Sequence, residues 1–194
     1  MKVAVIGPVP PFRGGIAHSN TILCENLAKN HEVRAYSFSR LYPKFLYRGK
    51  FQKEDGKRPP KGMNVDFCID SINPLNWQAV AEKINCFGPE VVIFQWWTTF
   101  HAFCYSAIAK NLKGKARISV VSQCALPHEG GGIHTWLAKK FYSKADSIVT
   151  LSSSDTADIR KLLPGAKVKF IIEPTYEGQI KKAKIPKAGA RKKL

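Results

Sequence analysis

Short apolar runs alternate with amphipathic stretches along most of the chain. The runs are rich in β-branched residues and predict seven strands, at 2–6, 32–37, 63–69, 90–94, 117–122, 147–151 and 167–172. The amphipathic stretches predict helices at 15–29, 75–86, 100–112 and 132–143, and a further helix that Ser152 opens with Asp155 in capping-box position. This alternation predicts an α/β fold: a parallel sheet of about seven strands with helices on both faces.

Four loops follow strands of the predicted sheet at the edge where such folds bind ligands. In open α/β sheets, ligands lie outside the carboxyl ends of the strands. The loops at that edge are 7–15, 95–100, 123–131 and 173–178. We therefore expect any site chemistry to come from these segments.

The first loop, within GPVPPFRGGIAHSN, joins the first strand to the first helix. Gly14 and Gly15 allow a close backbone approach, and a helix N-terminus offers unpaired N–H groups, so the loop is typical of a phosphate or diphosphate site. Arg13 can add a charge-assisted contact. The glycine spacing matches neither the dinucleotide fingerprint nor the phosphate loop of nucleoside triphosphatases. The alternative is that this loop is a glycine-containing turn that starts the helix and binds no ligand.

The second loop, QWWTTFH, follows a buried strand and contains adjacent tryptophans. From an extended chain, Trp96 and Trp97 cannot both point into one core, so we expect at least one of them to line a cleft. Tryptophan beside Gln95 suits a sugar, because the indole covers the pyranose face and the amide reaches the hydroxyls. The alternative is that the two indoles pack against helices on either side of the sheet.

The third loop, SQCALPHEGGG, places His128 and Glu129 between a proline and three glycines. Such a pair can bind hydroxyls or transfer a proton. The alternative is an ordinary surface histidine in a glycine-rich loop. We predict no metal site, because no second histidine stands at ligand spacing and His134 is six residues away.

The chain is strongly basic, and the charge is uneven. Thirty-one Lys and Arg against fourteen Asp and Glu give a net charge of +17, which favours a phosphate-bearing partner such as a nucleotide, nucleic acid or anionic lipid. Nine of the basic residues lie in the segment 34–61, and residues 38–62 are expected to form a loop with some local helix.

Cysteine usage and hydropathy indicate a cytoplasmic protein. The five cysteines are widely spaced and form no Cys-x-x-Cys pair, which favours a reduced setting. No segment approaches the roughly 20 apolar residues of a membrane span. The N-terminal apolar run is too short for the core of a signal peptide.

The ordered set of motifs resembles one family. After the Pro-rich turn and Gly-Gly come NHEV, VVIFQWW, LPHE, ADSIVTLS and LLPGAKV, in that order. Together, over residues 1–176, they resemble the N-terminal half of the retaining GT-B glycosyltransferases of the family 4-like, group 1 type. The resemblance implies one half of a GT-B architecture, a Rossmann-like, acceptor-side domain over 1–177.

The family resemblance also implies roles for individual residues. The resemblance implies a nucleotide-sugar donor, no further cofactor or metal, and a carbohydrate or lipid-linked acceptor. The implied donor-phosphate contacts are Arg13, Gly14 and Gly15; the implied acceptor contacts are Gln95, Trp97, Gln123 and Glu129; and the implied catalytic residue is His128.

Two departures from the family pattern change the expectation. Many relatives carry a histidine where Gln123 stands here, which weakens the transfer of a catalytic role to that position. The family's C-terminal donor-binding domain does not follow, so residues 178–194 are expected to form a basic linker or tail. The isolated chain is then expected to turn over little or nothing.

Membrane contact and nucleic-acid binding are the remaining predictions. In this family, the segment 34–61 could lie against an anionic membrane, at the inner face, and meet a lipid-linked acceptor; the alternative is a solvated basic loop. A non-catalytic nucleotide- or nucleic-acid-binding module is the alternative from another class. No specific nucleic acid is expected, because no RNA- or DNA-binding motif is found.

Overall fold

The computed structural model describes residues 1–43, 46, 52–126 and 131–172. Within these ranges, strands and helices alternate as the sequence predicts. The elements are β1 (Lys2–Ile6), α1 (Gly15–Leu27), β2 (Glu32–Arg40), β3 (Val65–Asp70), α2 (Pro74–Phe87), β4 (Val91–Trp96), α3 (Ala102–Asn111), β5 (Arg117–Ser122), α4 (Gly132–Tyr142), β6 (Ser147–Thr150), α5 (Ser153–Leu162) and β7 (Val168–Phe170). A single 3-10 turn, Thr99–His101, precedes α3.

The strands form one parallel sheet in the order β3-β2-β1-β4-β5-β6-β7. The chain first runs outward from β1 to β3 and then returns to the other side of β1. The topological switch point therefore lies between β1 and β4, and the crevice at their carboxyl ends is the expected ligand position. The predicted α/β class, with about seven parallel strands, is confirmed.

Two apolar clusters cover the two faces of the sheet. The larger cluster includes Val92, Phe94 and Trp96 of β4 and buried side chains from α2 through α5. The smaller cluster joins Cys24 of α1 to Val3 and Val5, with Val91 and Ile93 of β4 packed against it. Successive strand residues alternate between the two faces, so β4 packs against an apolar cluster on each side and helices lie on both faces, as predicted.

Helix ends follow their sequence signals. In α2, Asn73 accepts a hydrogen bond from the Leu75 N–H at 3.2 Å, Pro74 opens the helix, and Gly88 closes it in a left-handed conformation. At α5, the Ser152 hydroxyl accepts from the Asp155 N–H at 3.0 Å, which confirms the predicted cap.

The strand β2 is longer than predicted. Residues 38–40 were expected to open a loop, but they continue the strand, and Phe38 is fully buried. Its ring lies 5.0 Å from the ring of His101 and 6.3 Å from the indole of Trp97, centroid to centroid. The longer strand has a packing cause. The aromatic contacts of Phe38 hold the backbone in the extended conformation, although the polar Ser39 and Arg40 follow it.

Hydropathy along the helices gives a further result. Among residues 1–43, 46, 52–126 and 131–172, no helix combines the length and the apolarity that crossing a bilayer requires. The predicted fourth loop and the tail, 173–194, lie outside the described residues.

Candidate functional site

Gly7 stands at the switch point, directly after β1. Its N–H donates to the Tyr36 carbonyl at 3.2 Å. A Cβ at this position would lie 2.9 Å from both Asn20 Nδ2 and Gln95 Cβ, which is too close for any side chain. Glycine is therefore what allows the first loop, α1 and the end of β4 to meet.

The loop that follows Gly7 is pinned on three sides. Asn20, a buried polar residue of α1, donates from Nδ2 to the Pro8 carbonyl at 3.0 Å. The Val9 N–H donates to Ser37 Oγ at 3.3 Å. Further on, Phe12 forms an antiparallel bridge with Lys53. These contacts hold the glycine pair in a defined place at the carboxyl edge.

Gly14 and Gly15 begin α1 with an open backbone. Gly14 has φ of 110°, a left-handed value that favours glycine, and it offers no side-chain cap. Among the residues that the structure describes, a Cβ built on either glycine has no neighbour within 4 Å beyond the adjacent residues and the backbone of α1, and both glycines are exposed. The first-turn N–H groups of a helix have no intrahelical partner. This N-terminus therefore has the form of an anion site.

Arg13, predicted to contact the same anion, is already engaged. Its Nε lies 3.6 Å from Glu54 Oε1, and its N–H donates to the Gln52 carbonyl at 3.0 Å. Glu54 also pairs with Lys57. The hydrogen bond from Lys57 and its charge, and after them the charge of Arg13, lower the pKa of Glu54. An incoming phosphate would compete with Glu54, and the phosphate contact of Arg13 stays a prediction.

Two predicted acceptor residues lie together beneath the glycine pair's helix. Gln123 Nε2 donates to Gln95 Oε1 at 3.3 Å and to Ser19 Oγ at 3.4 Å. Gln95 is buried and Gln123 half-buried, so the three side chains form a polar floor at the carboxyl ends of β4 and β5. Ser19 was missed by the sequence reasoning. Its signal is its spacing, because residues i and i+4 from Gly15 share one helix face.

The adjacent tryptophans both pack against the larger apolar cluster, so the expectation that they cannot share one core is wrong. Trp96 is buried and stacks on Phe141, with ring centroids 5.0 Å apart and an interplanar angle of 16°. Trp97 is half-buried in the aromatic cluster on the β2 side, and its Nε1–H donates to Tyr42 Oη at 2.9 Å. Packing contacts thus account for both indoles, and an acceptor contact by Trp97 stays a prediction.

Asp155 connects the third loop to α5. Asp155 Oδ1 accepts from the Ala125 N–H at 2.7 Å, and Oδ2 accepts from Ser152 Oγ at 2.6 Å. Nearby, the hydroxyls of Ser122 and Tyr142 share a hydrogen bond of 2.8 Å. Burial holds the pKa of Tyr142 well above its ordinary value, so this hydroxyl remains protonated. The start of the loop is therefore fixed; His128 and Glu129 lie outside the described residues.

We expect the Asp155→Ala substitution to destabilise the chain by about 1–3 kcal/mol, because it removes the acceptor of a loop N–H and one half of a helix cap. Urea unfolding measures the loss. Asp158→Ala is the matched control, since Asp158 is exposed on the same helix and the charge change is the same. Amide exchange at Ala125 should accelerate only in the Asp155 variant; equal effects in both variants would contradict the assigned role.

In the described part of the chain, cysteine thiols and metal ligands offer little support for a reactive or metal-binding site. Burial raises the pKa of Cys24 and of Cys68 to about 12, so these thiols are poor nucleophiles. Over residues 1–43, 46, 52–126 and 131–172, no three His, Cys, Asp or Glu side chains group where they could hold a metal ion. The polar groups at the switch point are the candidates for ligand contact.

Comparison with known proteins gives a result at the level of the fold. No family model and no curated protein matches the chain. Solved structures do match. A sucrose-phosphate synthase chain from Thermosynechococcus elongatus aligns with a TM-score of 0.53 at 10% identity, over 93% of each chain.

Two longer chains share the same fold over part of their length. UDP-N-acetylglucosamine 2-epimerase from Rickettsia bellii matches with a TM-score of 0.57 at 16% identity, over 88% of this chain and 44% of its own. A second sucrose-phosphate synthase structure from T. elongatus matches with a TM-score of 0.56 at 8% identity, over 89% and 48%. The chain thus spans about half the length of these two proteins. Its Rossmann-like sheet matches one half of a GT-B architecture.

Proposed function

We propose that the chain is the acceptor-side half of a retaining GT-B glycosyltransferase that uses a nucleotide-sugar donor. One observation carries the proposal. The open Gly14–Gly15 start of α1 lies at the switch point, one helical turn from the polar floor of Gln95, Gln123 and Ser19. Anion-binding N–H groups thus stand next to amide and hydroxyl groups that suit a sugar.

In this proposal, the donor diphosphate rests on the first-turn N–H groups of α1. These dipoles stabilise the negative charge that develops on the leaving nucleotide when an acceptor hydroxyl replaces it at the sugar's anomeric carbon. Arg13 adds charge when it exchanges Glu54 for phosphate. No metal is required for this step, because the helix N-terminus and the basic side chain supply the positive potential.

The acceptor side is formed by the polar floor and the third loop. Gln95 and Gln123 each carry an amide donor and acceptor, the groups that recognise sugar hydroxyls. Trp97 and Glu129 extend this side, and His128 acts on the acceptor hydroxyl. A second Rossmann-like domain binds most of the donor nucleotide, so the 194-residue chain alone is inactive. The sugar-related names of the structural neighbours support this choice over other uses of the fold.

Diphosphate binding by the 194-residue chain tests the proposal. We expect UDP, GDP and pyrophosphate to shift the backbone amide resonances of Gly14, Gly15 and Ile16, because backbone N–H groups recognise the diphosphate and not the base. Uridine should leave these three resonances in place. Shifts that all three phosphates produce elsewhere, with the α1 amides unmoved, would overturn the assignment.

A non-catalytic nucleic-acid-binding module is the second candidate, favoured by the net charge of +17. Binding by charge alone weakens steeply with salt and shows no sequence preference. Measuring the affinity for single-stranded RNA of several sequences at physiological salt separates the candidates. A sequence preference that persists there would favour the binding module, and its loss would favour the transferase.

A further inference from the structure

The outer N-terminal ends of α2, α3 and α4 expose large apolar side chains. Leu75 is 88% exposed, Ile133 67%, Trp136 53% and Phe103 50%. Leu75 lies in the first turn of α2 and Phe103 in the first turn of α3. Ile133 and Trp136 lie in the first two turns of α4. Scattered exposed apolar residues are ordinary, whereas a contiguous group indicates an interaction surface.

On α3 and α4 the exposed residues form an ordered cluster around a lysine. Lys140 Nζ lies 4.8 Å from the Trp136 ring centroid and 5.1 Å from that of Phe103. The two ring centroids are 6.3 Å apart. Ile133, Trp136 and Lys140 follow one face of α4 at helical spacing. We call Phe103, Ile133, Trp136 and Lys140 the α3–α4 patch.

The charge around the α3–α4 patch has one sign. Neither helix contains an acidic residue, and residues 97–145 hold seven Lys and Arg against one acid, Glu129. Lys110 and Lys139 are exposed on these two helices. The patch is therefore an apolar surface fringed by cations, with electrostatic complementarity to an anionic partner.

In the basic segment 34–61, expected from the sequence to meet a membrane, several of the described cations contact other residues of the chain. Arg40 pairs with Asp70, and Lys57 pairs with Glu54. Arg34 lies over the Phe87 ring at 4.9 Å, and Lys53 over the Phe12 ring at 5.1 Å. These contacts leave the described part of the segment a weaker candidate than the α3–α4 patch.

The topology places the patch at the same edge as the candidate site. All strands are parallel, and a helix that connects two of them begins at their carboxyl ends. The first turns of α3 and α4 thus lie at the edge that carries Gly14 and Gln95. A hydrogen bond of 2.6 Å between Thr99 Oγ1 and His134 Nδ1 fixes the start of α4 at that edge.

We propose that the α3–α4 patch docks the protein on an anionic lipid bilayer. Phe103, Ile133 and Trp136 enter the boundary between headgroups and acyl chains, and Lys110, Lys139 and Lys140 face the anionic headgroups. A bilayer fits better than a nucleic acid, because the aliphatic Ile133 is the most exposed apolar residue of the patch and cannot stack on a base. This inference stands on the surface alone and does not depend on the proposed sugar transfer.

Sedimentation with lipid vesicles tests the proposal on the full chain. Vesicles of roughly one quarter phosphatidylglycerol in phosphatidylcholine should bind it, and pure phosphatidylcholine should bind it far less. The triple variant Phe103→Ser, Ile133→Ser, Trp136→Ser keeps the net charge, yet we expect at least about tenfold weaker binding. The matched control replaces Phe67, Phe170 and Ile171 by serine, since these are also partly exposed; equal losses would overturn the proposal.

Two double charge-reversal variants distinguish vesicle binding by the α3–α4 patch from a general attraction of anionic vesicles to a basic protein. Lys110→Glu with Lys139→Glu, and Arg58→Glu with Lys61→Glu, change the net charge by the same amount, and all four residues are exposed. We expect the first pair to weaken vesicle binding several-fold more than the second. Circular dichroism checks the fold of each variant. Equal effects, or binding to single-stranded RNA that the triple serine variant weakens while vesicles bind nothing, would refute bilayer docking.

Discussion

Acidification should destabilise this protein through one residue, His101, and the His101→Phe variant should escape that part of the loss. His101 is fully buried, with ring centroids 4.7 Å from Trp97 and 5.0 Å from Phe38. Within the described residues, neither ring nitrogen has a hydrogen-bond partner. Desolvation lowers the pKa of His101 from 6.5 to about 3, so the folded chain holds the ring neutral.

The sign of the effect follows from proton linkage. The folded pKa lies below the unfolded value, so the unfolded state binds more protons between about pH 6.5 and 3. Stability from the neutral ring is complete above pH 6.5 and is lost as the pH falls through that window. From pH 7 to pH 4, we expect the free energy of unfolding to fall by roughly 2–4 kcal/mol through His101.

Urea unfolding at several pH values measures this contribution. Phenylalanine fits the same aromatic surroundings and removes two unpaired nitrogens, so His101→Phe should be as stable as the parent chain at pH 7, or more stable. Its stability should then change less below pH 6.5. His18→Phe is the control, because His18 is exposed. Parallel pH profiles for the His101 variant and the parent chain would show that His101 is not the titrating group.

The strands and helices could be predicted because each has a local signal. Two strands, Lys2–Ile6 and Arg117–Ser122, begin and end where the β-branched runs do. Ser152 and Asp155 predict the start of α5, because their capping pattern is contained in four residues. Where the boundary depends on distant packing, the prediction fails, as at Phe38, whose partners Trp97 and His101 are about sixty residues away.

The candidate site was predictable by position but not by contact. The parallel topology alone places Gln95 and Gln123 at one edge, and the structure joins them through a hydrogen bond. The contact of Asp155 with the Ala125 N–H spans thirty residues, and no local pattern indicates it. From the sequence alone, Arg13 is expected to be a free cation. In the structure it pairs with Glu54, because the bridge between Phe12 and Lys53 brings Glu54 close to Arg13.

Replacing Gly15 by aspartate should weaken diphosphate binding and leave the fold intact. Gly15 is the first residue of α1, and its Cβ position has no neighbour within 4 Å in the described ranges beyond the adjacent residues and the backbone of α1, so the side chain fits there without a clash. An acidic residue in the first turn also favours the helix. The same carboxylate stands where the proposed phosphate binds. A like charge about 4 Å away costs about 1–4 kcal/mol, or roughly a 5- to 1,000-fold loss of affinity.

Gly132→Asp is the matched control for this prediction, because Gly132 is the first residue of α4 and is exposed. In the described part of the chain, its Cβ position has no neighbour within 4 Å beyond the adjacent residues and the backbone of α4. Both variants introduce the same charge at the same helix position, so a general loss of positive potential would affect them equally. Titration calorimetry with UDP should give weakened binding only for Gly15→Asp, and circular dichroism should be unchanged in both. In the proposed transferase, with the chain joined to a donor-binding domain, we expect the same substitution to abolish sugar transfer. Normal UDP affinity in Gly15→Asp would contradict the phosphate role of the glycine pair, because a carboxylate placed in an anion site repels the phosphate.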